Sequence, residues 1–368
     1  MMEVALPVRR TLYLSSVSLL SGCLALTEDV QLNTDLSQYV TGTSSTPIEV
    51  YVGYRTSQFH LDLETDAYVA VDRVLDPMGN VVLDYRDFPS PRLLSQGLIP
   101  IGRHASFNWP IRAEDGNLST GNWTIEVAAI DDDQHYVSDL TLWVHSQTKA
   151  DGDLEKGRIH ARILYDENTG DDLAIRTATE QAVQTWREIY RSAGLEVSVT
   201  YEETNLSFDM AAPGDQTDVY QDINSEGEPE QVTIVVGHYI DGELDKLGIT
   251  GAIPGPLADS PKGVVLISWL ALAGKDAEFN ALEMGLFGET IAHEVGHYLG
   301  LFHPVEETWS DWDFLSDTEE CTSYGDCVDD LAENLMFPYP ICDGTTCTPQ
   351  RQLSSDQQGL IHRYTGTL

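Results

Sequence analysis

Two domains of different class are expected from this chain: an N-terminal all-β sandwich, followed by an α/β (α+β) domain in which a late helix packs across a sheet. Three observations predict this. The 368 residues exceed the roughly 100 to 200 that one core usually organises. Short alternating segments recur between residues 47 and 146. Beyond a polar stretch, alternating segments are interleaved with runs of helical period.

The N-terminal segment, residues 1–22, reads as an export signal. Arg9 and Arg10 precede an apolar run from about Thr11 to Leu20 that is too short to span a bilayer as a helix. Leu20-Ser21-Gly22-Cys23 resembles a bacterial lipobox, which implies a lipid anchor on Cys23 and a place at the bacterial cell envelope, on the outer membrane or cell surface. An ordinary secretory signal with an incidental cysteine is the alternative. No later run reaches about 18 apolar residues, so that anchor is the only membrane attachment expected. Residues 23–46 are rich in Thr, Ser and Asp and suit a flexible tether.

In the sandwich, residues 47–146, the strand candidates are "IEVYVGY", "AYVAVDRVL", "NVVLDY", "NWTIEVAAI" and "DLTLWVH", separated by turn signals at Asp76–Asn80 and Asp115–Asn122. Residues 147–157, "QTKADGDLEKG", read as a linker. The second domain, residues 158–368, opens with the strand "RIHARILYD". A helix follows with Ile175, Ala182, Trp186, Ile189 and Tyr190 on one face and Gly194 as its stop. "LEVSVTYEE", "VTIVVGHYI" and "GVVLISW" are further strands.

Sixty acidic against 20 basic residues give a net charge of -40, which repels nucleic acid and anionic lipid and excludes nucleic-acid partners. With Cys23 set aside, Cys321, Cys327, Cys342 and Cys347 form an even set in an exported chain, which predicts two disulfides. Three connectivities are open, and the close spacings favour Cys321 with Cys327 and Cys342 with Cys347. A zinc–thiolate site is the competing reading, but the spacings fit it poorly.

"HEVGHYLGLFHP", residues 293–304, holds three of the ten histidines. At about 100° per residue, His293 and His297 project from one helix face, one turn apart, as two ligands of one ion require. Glu294 lies one step round, badly placed to ligate but near enough to take a proton from a water at the ion. His303, six residues after His297, would face away if the helix continued. Gly300 is placed to end the helix and turn the chain back. Three imidazoles and one open position give zinc a catalytic geometry, whereas a structural site would use a fourth protein ligand. H-E-x-x-H alone arises by chance in roughly two chains per hundred of this composition; requiring Gly300 and His303 lowers that to about five per hundred thousand, which sets coincidence aside.

The stretch resembles the zinc-binding sequence of the metzincin metallopeptidases, H-E-x-x-H-x-x-G-x-x-H. "ENLMFPYP" resembles their methionine turn, most like that of the pappalysin-like group. The resemblance covers about residues 158–368 and implies a zinc peptidase acting on peptide or protein substrates, with Glu294 as general base and Met336 as an apolar floor beneath the metal. It also implies that "GVVLISW" is the edge strand to which substrate adds. Relatives that use a tyrosine near the metal carry it two residues after the methionine. Here that position is Pro338, with Tyr339 one further on as the candidate oxyanion stabiliser. The acidic clusters "SDWDFLSDTEE" and "GDCVDD" are candidates for Ca2+ binding or for lining a pocket that takes basic side chains. Two other functions compete: a surface binding or adhesion lipoprotein whose metal domain is degraded, and hydrolysis of a non-peptide amide.

Overall fold

The computed structural model describes residues 47–368 apart from 85–101, 131–141, 151–153, 167–168, 206–208, 215–216, 229 and 344. The expectations for the signal, Cys23 and the tether therefore lie outside the described residues. No helix among the described residues is long and apolar enough to cross a membrane.

A β-rich region comes first. Among the described residues six strands, β1 (Ile48–Val52), β2 (Thr56–Leu75), β3 (Val81–Asp84), β4 (Gly102–Trp109), β5 (Gly121–Ile130) and β6 (Leu142–Ala150), form one sheet. The long β2 organises it by changing partners along its length. Residues up to Glu64 pair mainly with β4 and β6, whereas residues from Tyr68 pair with β5 and, near the end, β3. Asp76 makes the β2–β3 turn by accepting from the amides of Met78 and Asn80, both at 2.8 Å, as an aspartate at the first turn position does. Inward residues such as Phe59, Leu61, Val71, Phe107, Trp109, Ile125 and Val144 are buried. Two readings need correction. β4 and the first half of β2 were not expected as strands. The proposed linker is shorter: β6 runs through Ala150, and Gln147 and Lys149 are buried.

A mixed α/β region follows. Its sheet has the order β12-β13-β10-β7-β8, made of β7 (Gly157–Tyr165), β8 (Leu195–Glu203), β10 (Val232–Gly237), β12 (Gly248–Thr250) and β13 (Val264–Ser268). The four longer strands run parallel, and β12 is antiparallel at one edge. Two-residue strands β9 (Asp209–Met210) and β11 (Tyr239–Ile240) pair separately. "GVVLISW" is thus internal, held between β10 and β12, and the edge is β12. Its all-buried run is what a strand covered on both faces shows.

Among the described residues six α-helices complete the region: α1 (Leu173–Ser192), α2 (Asp218–Ser225), α3 (Trp269–Ala273), α4 (Ala281–Tyr298), α5 (Tyr324–Leu331) and α6 (Ser355–Arg363). Asp172 caps α1 by accepting from Ala174 and Ile175, and the expected apolar face is buried. α1 and α4 pack closely, since Gly288 has no side chain and the Tyr190 hydroxyl donates to Ala292 O at 2.8 Å. Both disulfides join the near neighbours, Cys321 to Cys327 and Cys342 to Cys347.

Candidate metal centre

α4 brings the first two histidines into place. Asn280 starts it with a capping box: its side chain accepts from Leu282 and Glu283 amides, and Glu283 accepts from the Asn280 amide in return. Gly300, at φ 105°, ends it. Leu301 N donates to Gly296 O and Gly300 N to His297 O, the paired bonds of a Schellman motif, which only the left-handed residue permits. This turn also has a chemical effect: it aims Leu301 O at His297 Nδ1, 2.7 Å away.

The three histidines named from the sequence converge. His293 Nε2 and His297 Nε2 each lie 3.2 Å from His303 Nε2. On the far side of each ring, Nδ1 faces an oxygen that only accepts: Leu335 O at 2.8 Å for His293, Leu301 O for His297, and Glu306 Oε1 at 3.0 Å for His303. Each Nδ1 therefore carries the proton, and three Nε2 lone pairs point at one another with no hydrogen between them. Burial first, then the neighbouring His303 ring, holds His293 at about 3, so its ring stays neutral; burial and the other two rings push His297 well below its ordinary value.

Such a donor set fits a divalent cation. Two nitrogens about 2.0–2.1 Å from one tetrahedral ion are roughly 3.3–3.4 Å apart, close to the separations found. Among the described residues this is the only place where three His, Cys, Asp or Glu side chains bring ligand atoms within 4.8 Å of one another. The acidic clusters proposed for calcium make no such group. None of residues 310–320 or 325–330 lines the cleft either; its acids are Glu243, Asp245, Glu289, Glu294 and Glu307.

Glu294 is buried beside the triad, and burial raises its carboxyl to about 7, opposed first by the Thr250 hydroxyl and then by the neighbouring His303 ring. Thr250 Oγ1, on β12, reaches both Glu294 O at 2.6 Å and Oε2 at 3.0 Å. On the same strand Gly248 passes so close that a Cβ there would stand 2.7 Å from Glu294 Cγ. The edge strand and the carboxylate thus form one unit.

Met336 is fully buried against the helix, and a Cβ on Gly296 would sit 2.6 Å from its sulfur. An Asn334 turn holds it: Met336 N donates to Asn334 Oδ1 at 2.8 Å, and Leu335 turns its carbonyl to His293. Tyr339 lines the same cleft, its ring packed on Phe337 at 5.4 Å and Trp309 at 6.1 Å. The cleft, about 410 Å³, runs from β12 across His293 and Glu294 to Pro340. Sequence reasoning missed Thr250, Gly248 and Glu306. Only Glu306 left a signal, a carboxylate three residues beyond a ligand histidine.

No family model and no curated protein matches the sequence. Among solved structures, the archaemetzincin of Methanopyrus kandleri shares 13% identity over 56% of this chain and 88% of its own, with a TM-score of 0.29. Metalloproteinase-II of Bacteroides fragilis shares 14% over 55% of this chain and 52% of its own, with a TM-score of 0.32. Myroilysin shares 12% over 56% and 93%, with a TM-score of 0.24. Likenesses this distant carry no weight for the chemistry. The class assigned here, a protein with a three-histidine metal-binding site in a mixed α/β region, rests on the site geometry.

Proposed function

We propose that this chain is a zinc-dependent metalloendopeptidase of metzincin type, exported and held at the bacterial envelope through lipid on Cys23. The observation that supports the reading most directly is the convergence of three Nε2 lone pairs, each ring oriented from behind, next to a buried carboxylate and an open strand edge. His293, His297 and His303 would hold the ion, leaving a position for substrate. Bound zinc supplies the Lewis acidity that polarises a peptide carbonyl and acidifies a water.

The remaining work falls to protein groups. Among the described residues β12 pairs only with β13 in the sheet, so an extended peptide can add along its other side and be aligned by main-chain hydrogen bonds. Glu294 takes the proton of the attacking water as the C–O bond forms. It returns that proton to the amide nitrogen as the C–N bond breaks, so acid and amine products leave with the carboxylate regenerated. Thr250 fixes the carboxylate for both transfers.

Glu294→Gln keeps the shape and the Thr250 contact but removes the base. The variant is expected to bind one zinc per chain and to lose turnover of a casein-derived peptide by at least about a thousandfold, within the range of general base catalysis. Peptidase activity at wild-type level in that variant would refute the assignment. A wild-type protein that holds zinc yet cleaves no peptide would favour a binding lipoprotein instead.

A further inference from the structure

Along the first half of β2, polar and apolar residues alternate, yet both sets are buried. Phe59, Leu61 and Leu63 belong to the apolar core, while Gln58, His60 and Asp62, on the opposite face, are at most 9% exposed. The flanking strands extend this polar face in register: Ser106 and His145 lie beside Asp62, and Asn108 and Gln147 beside His60.

What covers it is the α/β region. Asn108 Oδ1 accepts from Thr365 N and Oγ1 at 2.9 and 2.7 Å, while its Nδ2 donates to Arg363 O at 2.8 Å. Lys149 Nζ donates to the carbonyls of His362 and Thr367. The Asp62 carboxylate accepts from the main-chain amides of Leu257, at 3.0 Å, and Ala258, at 2.7 Å. His60 Nε2 at 2.9 Å and Ser106 Oγ at 2.8 Å also reach it, and His145 Nδ1 lies 3.5 Å from its Oδ2. Buried charge is retained only where such partners meet it.

Those two amides lie in the connection between β12 and β13, close to the metal helix. Gly255 N donates to Tyr298 O at 2.7 Å, the Tyr298 hydroxyl to Pro256 O at 2.6 Å, and the Tyr364 hydroxyl to Gly255 O at 2.8 Å. The approach is so close that a Cβ on Gly255 would stand 2.4 Å from the Tyr298 ring. Tyr298 is the last residue of α4 and follows His297 directly.

We infer that Asp62 is a positioning residue for the hydrolytic site: it fixes residues 255–258, and through Tyr298 it fixes the end of α4 that carries His297. The β-rich region is then a working part of the site. For activity the inference rests on the proposed function, whereas for metal affinity and backbone protection it does not.

The test uses the full chain, with Asp62→Asn, Tyr364→Phe and, as a control, Leu83→Ala, which weakens the β-rich core away from the contact. Hydrogen-exchange mass spectrometry follows residues 248–258 and 293–301, chelator competition gives zinc affinity, and turnover is expressed per bound zinc. Asp62→Asn should speed exchange in both segments and weaken zinc, each on the order of tenfold. Its kcat per bound zinc should fall on the order of tenfold with KM within about threefold. Tyr364→Phe should act in the same direction more weakly, and it carries the test if Asp62→Asn does not fold. Leu83→Ala should lower Tm without either effect. Unchanged exchange and zinc affinity in the Asp62 and Tyr364 variants would overturn the inference. If wild-type protein binds zinc but cleaves nothing, the proposed function falls while exchange and affinity still decide this point.

Discussion

Three glycines on α4, at positions 285, 288 and 296, allow the packing of the metal helix to be tested by one substitution, Gly→Ala. Helix propensity alone favours alanine by about 1 kcal/mol at each. The surroundings differ. At Gly285 the nearest atom to an added Cβ is Arg351 Nη2 at 3.7 Å, ordinary contact, so the propensity gain should appear as about 0.5–1 kcal/mol of added stability. At Gly288 the Cβ would stand 2.4 Å from Thr185 Cβ and 2.6 Å from Ala182 O. Neither atom can rotate away, because one is next to the backbone and the other is part of it. Carbon contacts want about 3.5–4.0 Å, so α1 and α4 must separate by roughly 1 Å. Overpacking of this kind costs up to about 3 kcal/mol, leaving a net loss near 2 kcal/mol and a Tm lower by roughly 4–8 °C. A shift of about 1 Å in the helix carrying His293 and Glu294 should also cut turnover on the order of a hundredfold. Gly296 falls between, since Met336 Sδ at 2.6 Å is part of a flexible chain but one with no free space around it. Calorimetric melts with and without zinc, alongside peptide turnover, give the order directly. A Gly288→Ala protein as stable and active as Gly285→Ala would refute the packing argument.

Two further outcomes follow from single carboxylates. Glu306→Ala removes the acceptor behind His303, so zinc affinity measured by chelator competition should drop about 10–100-fold, with Glu306→Gln losing less; an unchanged affinity would remove Glu306 from the site. Asp313 is buried, with Oδ1 held by Thr318 and Leu315 and Oδ2 without a hydrogen-bond partner; burial raises its carboxyl to about 7. The unfolded chain ionises near 3.9, so the folded state holds the extra proton between the two values. Stability should then fall as pH rises from about 4 to 7 and level off above, by a few kcal/mol at most at roughly 1.4 kcal/mol per unit. Asp313→Asn should flatten that part of the profile in denaturant titrations, and an equal slope in both proteins would show that the carboxyl ionises freely.

How much of this was legible in the sequence depends on whether a function was carried by side chains at fixed spacing. His293, His297 and His303 were legible because one helix turn and one glycine stop fix their relation, and Gly300 does adopt the left-handed conformation that the spacing demands. Met336 and the two short disulfide loops were legible for the same local reason. β12 was not. Three residues, Gly248, Ile249 and Thr250, in a Gly- and Pro-rich stretch show no alternation, and their importance comes from lying beside Glu294 in space. "GVVLISW" has the stronger strand pattern because it is internal, so pattern strength pointed away from the edge.

The missed half of β2 has a different cause, and it bears on what the β-rich region is for. Residues Gln58 to Glu64 alternate polar and apolar without a break, which is the signature of a strand with one wet face. Here that polar face is covered: Gln58, His60 and Asp62 are buried, with Lys149 of β6 beside Gln58 and polar residues of both β4 and β6 beside His60 and Asp62. Alternation reports which face can hydrogen-bond, and water is only one possible partner. A β-rich region that merely tethered an independent α/β region would have left that face to solvent. The two main-chain amides that Asp62 holds instead belong to the connection touching the end of the metal helix, so the region that the sequence reads as accessory is bonded to the segment that shapes the site.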